Sequence, residues 1–260
     1  MSDIKKEEYK NFNILVIGDT CTDKFSYGNA FRLAPEAPVP VFNPVYSESN
    51  PGMAGNVVAN LQALGVTTVT LHNSENVIKT RYVDDRSGQI LLRVDENDKV
   101  KRIEPKVLEQ ITDNNLYGIK LDAIIISDYD KGFLEEDDID FICKNNSNVF
   151  IDTKKIIDEW IKYATFIKIN HVEYERTEYT LKHLGIEDKL IITLSSRGCQ
   201  HKGKIYPVKK VQIRDVSGAG DTFLSGLVAE YIRTNNIEQA IVFAQKCASI
   251  VVQKPGVATV

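Results

Sequence analysis

The chain has 260 residues, 43% hydrophobic and 26% charged, with 32 basic against 36 acidic side chains for a net charge of −4. That length predicts one large domain, with or without a small appendage, and the composition excludes a disordered or fibrous chain. The acidic balance argues against a dedicated nucleic-acid binder, and no apolar run reaches the ~18 residues of a membrane span.

The opening MSDIKKEEYK lacks the apolar stretch of a secretory signal, so residues 1–11 are expected to be a solvated tail. Asn13–Ile17 is the first buried-strand candidate and ends at Gly18-Asp19. Residues 24–48 are rich in proline and aromatics and break the rhythm. Ala54–Leu64 places Val57, Val58, Leu61 and Leu64 on one helical face, and Gly65 stops it. Residues 77–104 alternate around an Asp85-Arg86-Ser87-Gly88 turn, which predicts a small sheet apart from the main one, a lid over a site. Four further apolar runs follow: Ala123–Ser127 ending at Asp128, Val149–Ile151 at Asp152, Phe166–Ile169 at Asn170, and Leu190–Thr193 at Ser195-Ser196. Val211–Val216 reads as another strand, followed by amphipathic helices from Asp221 and over Ala240–Val252. Short continuous strands separated by helices predict an α/β fold, a mostly parallel sheet with helices on both faces. Ligands then sit at the carboxyl ends of the strands, where the polar residues lie.

The four cysteines (Cys21, Cys143, Cys199, Cys247) form no CxxC pair, and the four histidines show no metal-binding spacing. This excludes a zinc ribbon and fits a reduced, cytoplasmic chain.

The chemistry concentrates in Ser217-Gly218-Ala219-Gly220-Asp221. A glycine-rich turn opening a helix presents unpaired N–H groups and the positive end of the dipole to an anion. A carboxylate beside that hole repels a bare phosphate but is placed to take a proton from an attacking hydroxyl. Together they predict phosphoryl transfer to an alcohol. The glycines do not form GxGxxG, and the chain has no P-loop.

Asp215–Thr222 resembles the C-terminal signature of the ribokinase-like (PfkB) carbohydrate kinases. Gly18–Asp23 looks like that family's GDxxxD segment. Tyr27-Gly28 followed by Arg32–Val41 (RLAPEAPVPV) is similar to its heptose 7-phosphate kinases, as are Pro51–Val57, Ser127–Gly132 (SDYDKG) and Asp152-Thr153-Lys154. The resemblance runs from about residue 13 to the end. It implies a three-layer ribokinase-like fold over 12–260 with a β-lid from 24–48 and 77–104, and a kinase using ATP and magnesium, with a monovalent cation at Asp215. Asp221 is then the base, and Gly218, Ala219 and Gly220 the anion hole. Asn170, Glu173, Ser195 and Gly198 serve the nucleotide, with Glu173 toward magnesium. Asp23, Gly52, Asn56 and Asp128 contact the sugar. Lys79, Arg81, Arg93 and Lys131 meet a substrate phosphate; the bare alternative is the solvated face of a lid. The resemblance also implies a homodimer through the lids. The reading is a kinase for the anomeric hydroxyl of D-glycero-D-manno-heptose 7-phosphate. Its alternatives are a kinase for another sugar or nucleoside, or a silent sugar-phosphate or nucleotide binder.

Three departures stand out. Met53 replaces the second glycine of a GG pair, a strand–helix stretch of roughly thirty residues after Asn73 is missing by typical βα-unit size, and Gln245–Ala248 replaces a run of small residues.

Overall fold

The computed structural model describes residues 6–260. The main sheet contains β1 (Asn13–Gly18), β4 (Thr67–His72), β9 (Ala123–Asp128), β10 (Val149–Thr153), β11 (Phe166–Asn170), β12 (Leu190–Thr193), β13 (Cys199–His201) and β14 (Lys204–Tyr206). Their spatial order is β14-β13-β12-β11-β10-β9-β1-β4, parallel from β12 to β4 and antiparallel at β13 and β14. The central strands are mostly apolar, and alternate residues feed opposite cores because side chains alternate across a strand. Ile14 and Val16 of β1 enter a core with α1 (Ala54–Leu64), α5 (Ala219–Thr234) and α6 (Ile237–Val251). Leu15 and Ile17 enter the other, with α3 (Glu136–Asn145) and α4 (His171–Leu184). A short helix α2 (Pro105–Leu108) and a hairpin of β7 (Asn115–Leu116) and β8 (Ile119–Lys120) complete that second face.

The lid is a separate four-stranded sheet, ordered β3-β2-β5-β6. It is built from β2 (Thr20–Leu33), β3 (Pro40–Met53), β5 (Ile78–Asp84) and β6 (Ile90–Glu96). Its first strands start at Thr20 and run to Met53, beyond the 24–48 expected, because the alternation extends directly from the end of β1 to the start of α1.

Two expectations are corrected. Lys6–Tyr9 form a 3-10 turn rather than a solvated tail: Tyr9 is 3% exposed, packs on Phe243 and donates its hydroxyl to Glu230 at 2.8 Å. Residues 1–5 of that tail lie outside the described residues. Val211–Val216 is not a strand. The N–H groups of Arg214 and Asp215 both turn to Val252 O instead of a neighbouring strand, and Ile213 and Val216 are exposed. Among the described residues no helix is long and apolar enough to cross a membrane.

Candidate active site

The strand ends β1, β9, β10, β11 and β12 and the first turn of α5 converge beneath the lid. Gly218 caps α5 at φ 74, and a Cβ there would stand 2.4 Å from Asn56 Nδ2, so the turn needs glycine on both counts. Ala219 N–H turns back to Val216 O. Among the described residues the N–H groups of Gly220 and Asp221 find no internal acceptor, as first-turn geometry dictates. These two N–H groups are open donors at the start of α5.

Asp221 is 4% exposed. Its Oδ2 accepts from Asn56 Nδ2 at 2.9 Å and its Oδ1 from the Tyr129 hydroxyl at 2.8 Å. Asn60 Nδ2 in turn fixes Asn56 by donating to its Oδ1 at 3.0 Å. Burial pushes the Asp221 carboxyl up to about 6, against the two donors; Asp152 adds to the rise and Lys168 opposes it. A carboxylate in that range suits a general base near neutral pH.

Lys168 and Asp152 form a buried ion pair directly behind Gly220, where an added Cβ would stand 3.1 Å from Lys168 Nζ. Asp152 Oδ1 is buried without a hydrogen-bond partner, with Lys154 Nζ 3.7 Å away. Lys168 was not legible as a site residue: in the run Phe166–Asn170 it is one polar residue on an apolar strand. Its 6% exposure is the signal that separates it from a surface lysine.

On the other side of Gly220, a cavity of about 520 Å³ is lined by Asn170, Thr193, Ser195, Gly198, Gly220 and Gln245, among others. Asn170 and Glu173 form the capping box of α4, each accepting the other's backbone N–H at 2.9 Å. Lys154 Nζ takes the remaining Glu173 oxygen at 2.6 Å. Gly198 has φ 96, and a Cβ there would meet Tyr206 O at 2.0 Å. Gln245 Nε2 donates to that same carbonyl.

On the lid side, strand register puts Asp23, Lys79, Arg81, Arg93 and Asp95 on one face. Every cation there has an acid. Arg81 pairs with Asp23 and lies over the Phe25 ring; Lys79 reaches Asp95 at 3.0 Å and Asp98 at 3.1 Å. Lys131 reaches Asp98 at 2.6 Å, and Arg93 reaches Asp95 at 2.8 Å. Gly52 leaves room for this arrangement, since a Cβ would meet Asp23 Oδ2 at 2.2 Å. Arg93 is the outlier, with a half-exposed side chain.

Two expected site residues serve the framework. Asp128 is 1% exposed and accepts from the Thr153 hydroxyl and the Asp130 N–H, with Lys155 Nζ at 3.7 Å; burial pushes its carboxyl up to about 6. Asp215 accepts the N–H groups of Ser217 at 2.8 Å and Gly256 at 3.1 Å, one on each oxygen, and so ties the glycine turn to the C-terminal loop.

Met53, where a glycine was expected, adopts φ 56 and ψ −133 at the junction of β3 and α1. It is 3% exposed, in a cluster with Cys21 and Val77 against which Tyr129 packs.

Residues 135–260 match the pfkB family of carbohydrate kinases. The chain is 31% identical to the bifunctional protein HldE of Vibrio vulnificus over 301 residues, covering 97% of this chain and 62% of that protein. It is 30% identical to HldE of Nitratiruptor sp., covering 95% and 62%. The chain thus spans less than two thirds of the curated relatives it matches, and the first alignment is longer than the chain, so the relatives carry residues it lacks. Ribokinase from Thermotoga maritima superposes with a TM-score of 0.67 at 17% identity, over 95% of this chain and 94% of that one. Arabidopsis thaliana ribokinase complexed with ribose and ATP gives 0.65 at 14%, over 94% and 93%. The fold is therefore ribokinase-like: a large, mostly parallel sheet with helices, and a small separate sheet.

Proposed function

We propose that the chain, whose residues 135–260 match the pfkB family of carbohydrate kinases, is a sugar kinase of that family and transfers the γ-phosphoryl group of ATP to a sugar hydroxyl with Asp221 as the base. One observation carries the reading. A buried carboxylate and two open N–H donors share the first turn of α5, with the nucleotide cavity on one side and the lid on the other.

Asp221 takes the proton of the acceptor hydroxyl as its oxygen bonds to the γ-phosphorus and the bond to the β-phosphate oxygen breaks, releasing ADP. Charge on the moving phosphoryl oxygens is met by the Gly220 and Asp221 N–H groups, with Lys168 behind them. Among the described residues no group of three or more acids, histidines or cysteines would cage a metal. That suits magnesium, which is usually carried on nucleotide phosphates and needs one or two carboxylates. The unpartnered Asp152 Oδ1, together with Glu173, fits that role. A bound magnesium would neutralise phosphate charge.

The finer substrate we propose is D-glycero-D-manno-heptose 7-phosphate, acting at its anomeric hydroxyl. Its support is the resemblance of Arg32–Val41 to the heptose kinases, together with the inward-facing Lys79, Arg81 and Lys131. The full ion pairing of those cations favours a second reading, a kinase for an uncharged sugar. ATP consumption with magnesium against a panel of sugars and sugar phosphates tests both. No turnover with any acceptor would overturn the kinase reading.

A further inference from the structure

We infer that Tyr129 is a positioning residue for the base: its hydroxyl fixes the orientation and the charge of the Asp221 carboxylate, and Asp19 holds the loop that presents it. The inference rests on the reading of Asp221 as base.

Tyr129 is fastened at both ends. Its hydroxyl donates to Asp221 Oδ1 at 2.8 Å, opposite the Asn56 donor on Oδ2, so the carboxylate is gripped from two sides. The ring packs on the Cys21–Met53–Val77 cluster, with Lys154 Nζ 5.7 Å from its centroid. Its backbone N–H donates to Asp19 Oδ2 at 2.7 Å. Asp19 is 1% exposed, and no cation lies within ion-pairing distance among the described residues. It instead gathers three N–H groups of the loop after β9: Tyr129, Lys131 at 3.2 Å and Phe133 at 3.4 Å. The loop can converge on one carboxylate because it reverses through Asp130 at φ 56 and Gly132 at φ 110. Sequence alone leaves Asp19 a loop acid; the structure makes it the anchor of the loop that reaches the base.

The charge argument follows from what surrounds Asp221. Burial and Asp152 of β10 oppose its ionisation, while Lys168 of β11 favours it. Lys154, beyond β10, and the Cys21 thiol of β2 also feel its charge. Against that balance the Tyr129 and Asn56 donors favour the ionised form. The Tyr129 phenol is itself held well above its ordinary range by burial and by Asp221, so it stays a donor at working pH.

The test is the pH dependence of kcat/KM in Tyr129→Phe, which deletes one hydroxyl and keeps the ring packing, read beside Asp221→Asn. The acid limb in Tyr129→Phe is expected to move up by about one pH unit, with a roughly tenfold loss below the limb and a much smaller loss on the alkaline plateau. KM for ATP is expected to stay unchanged. Asp19→Asn is expected to move the limb in the same direction. A limb that stays in place in Tyr129→Phe, or a loss equal at every pH, overturns the inference while the base assignment stands. Near-normal turnover in Asp221→Asn overturns the base assignment itself.

Discussion

Asp98 stands between Lys79 and Lys131, where the proposed substrate would bring its phosphate. Paired with both lysines, it does the work of that anion. A phosphosugar must then displace a carboxylate as well as bind, and removing the carboxylate should help it. The size of the effect follows from exposure: the Asp98 side chain is 39% exposed, Lys131 20% and Lys79 10%. Pairs in such surroundings are worth ~0.2–1 kcal/mol each after solvent screening. Asp95 stays on Lys79 in either case. Displacing Asp98 thus costs about 1 kcal/mol, or roughly fivefold in affinity. Asp98→Ala is expected to lower KM for heptose 7-phosphate by about threefold to tenfold. KM for ATP and for the unphosphorylated heptose should stay in place. The measurement is initial-rate ATP consumption at saturating ATP and magnesium, repeated at low and high salt, where screening should shrink the gain. Lys79→Ala/Arg81→Ala is the companion variant and should raise the phosphosugar KM. An Asp98→Ala enzyme with an unchanged phosphosugar KM, and a double variant that treats phosphosugar and free sugar as the parent does, would refute the phosphate subsite and favour the uncharged sugar.

Three further outcomes are expected. Asp221→Asn should lower kcat by ~10²–10⁴-fold, as loss of a general base does, with ATP affinity little changed. It should also raise the melting temperature at pH 7. A folded carboxyl pushed from 3.8 to about 6 costs stability above that value, up to ~3 kcal/mol, and the gain should vanish below about pH 4, where the parent carboxyl is protonated folded and unfolded. At Met53, glycine should be less destabilising than alanine although it removes more side chain: both lose burial, but only glycine releases a backbone strain of ~1–3 kcal/mol at φ 56. Chemical denaturation of the two variants decides it, and the reverse order would count against strain. Finally, Leu33, Val39, Val45, Ile90 and Leu92 leave an apolar exposed lid surface, which we expect to pair two copies; a monomer in light scattering at micromolar concentration would rule that out.

The parts of the fold legible in sequence were those whose cause is local. The runs Ala123–Ser127 and Leu190–Thr193 are apolar on both faces, which only a covered parallel sheet explains, and they form β9 and β12. The glycine turn before an amphipathic helix was legible, and it places Asp221 in the first turn of α5. What stayed hidden depends on pairing between distant segments. Val211–Val216 has strand-like residues, but the N–H groups of Arg214 and Asp215 turn to Val252 O, and Val211, Ile213 and Val216 line the cavity instead. Tyr129 and Asp19 look unremarkable until the loop after β9 folds back over β1. The lid lysine and arginines were visible as cations, yet the acids of Lys79 (Asp95 and Asp98) and of Arg81 (Asp23) lie on other strands or a loop, and sequence spacing gave no sign of that neutralisation.

The segment after Asn73 carries the chain directly from the main sheet into the lid. β4 is the outer strand of the main sheet, and its edge is polar, with Thr67, Thr70 and His72 exposed, as an unpaired edge requires. From there the chain enters lid strand β5 within a few residues. The crossing is closed by Asn73, which is 3% exposed. Its Oδ1 accepts the Thr20 N–H at 2.7 Å, and its Nδ2 donates to Glu75 O at 2.8 Å. Thr20 opens β2, so one side chain ties the end of the main sheet to lid strand β2 and to the connection that leads into β5. The strand ends beside the first turn of α5 and the cavity lie on β1 and beyond it, toward β12. The connection at Asn73 therefore lies on the flank of the main sheet away from these residues, and it joins the lid to that sheet.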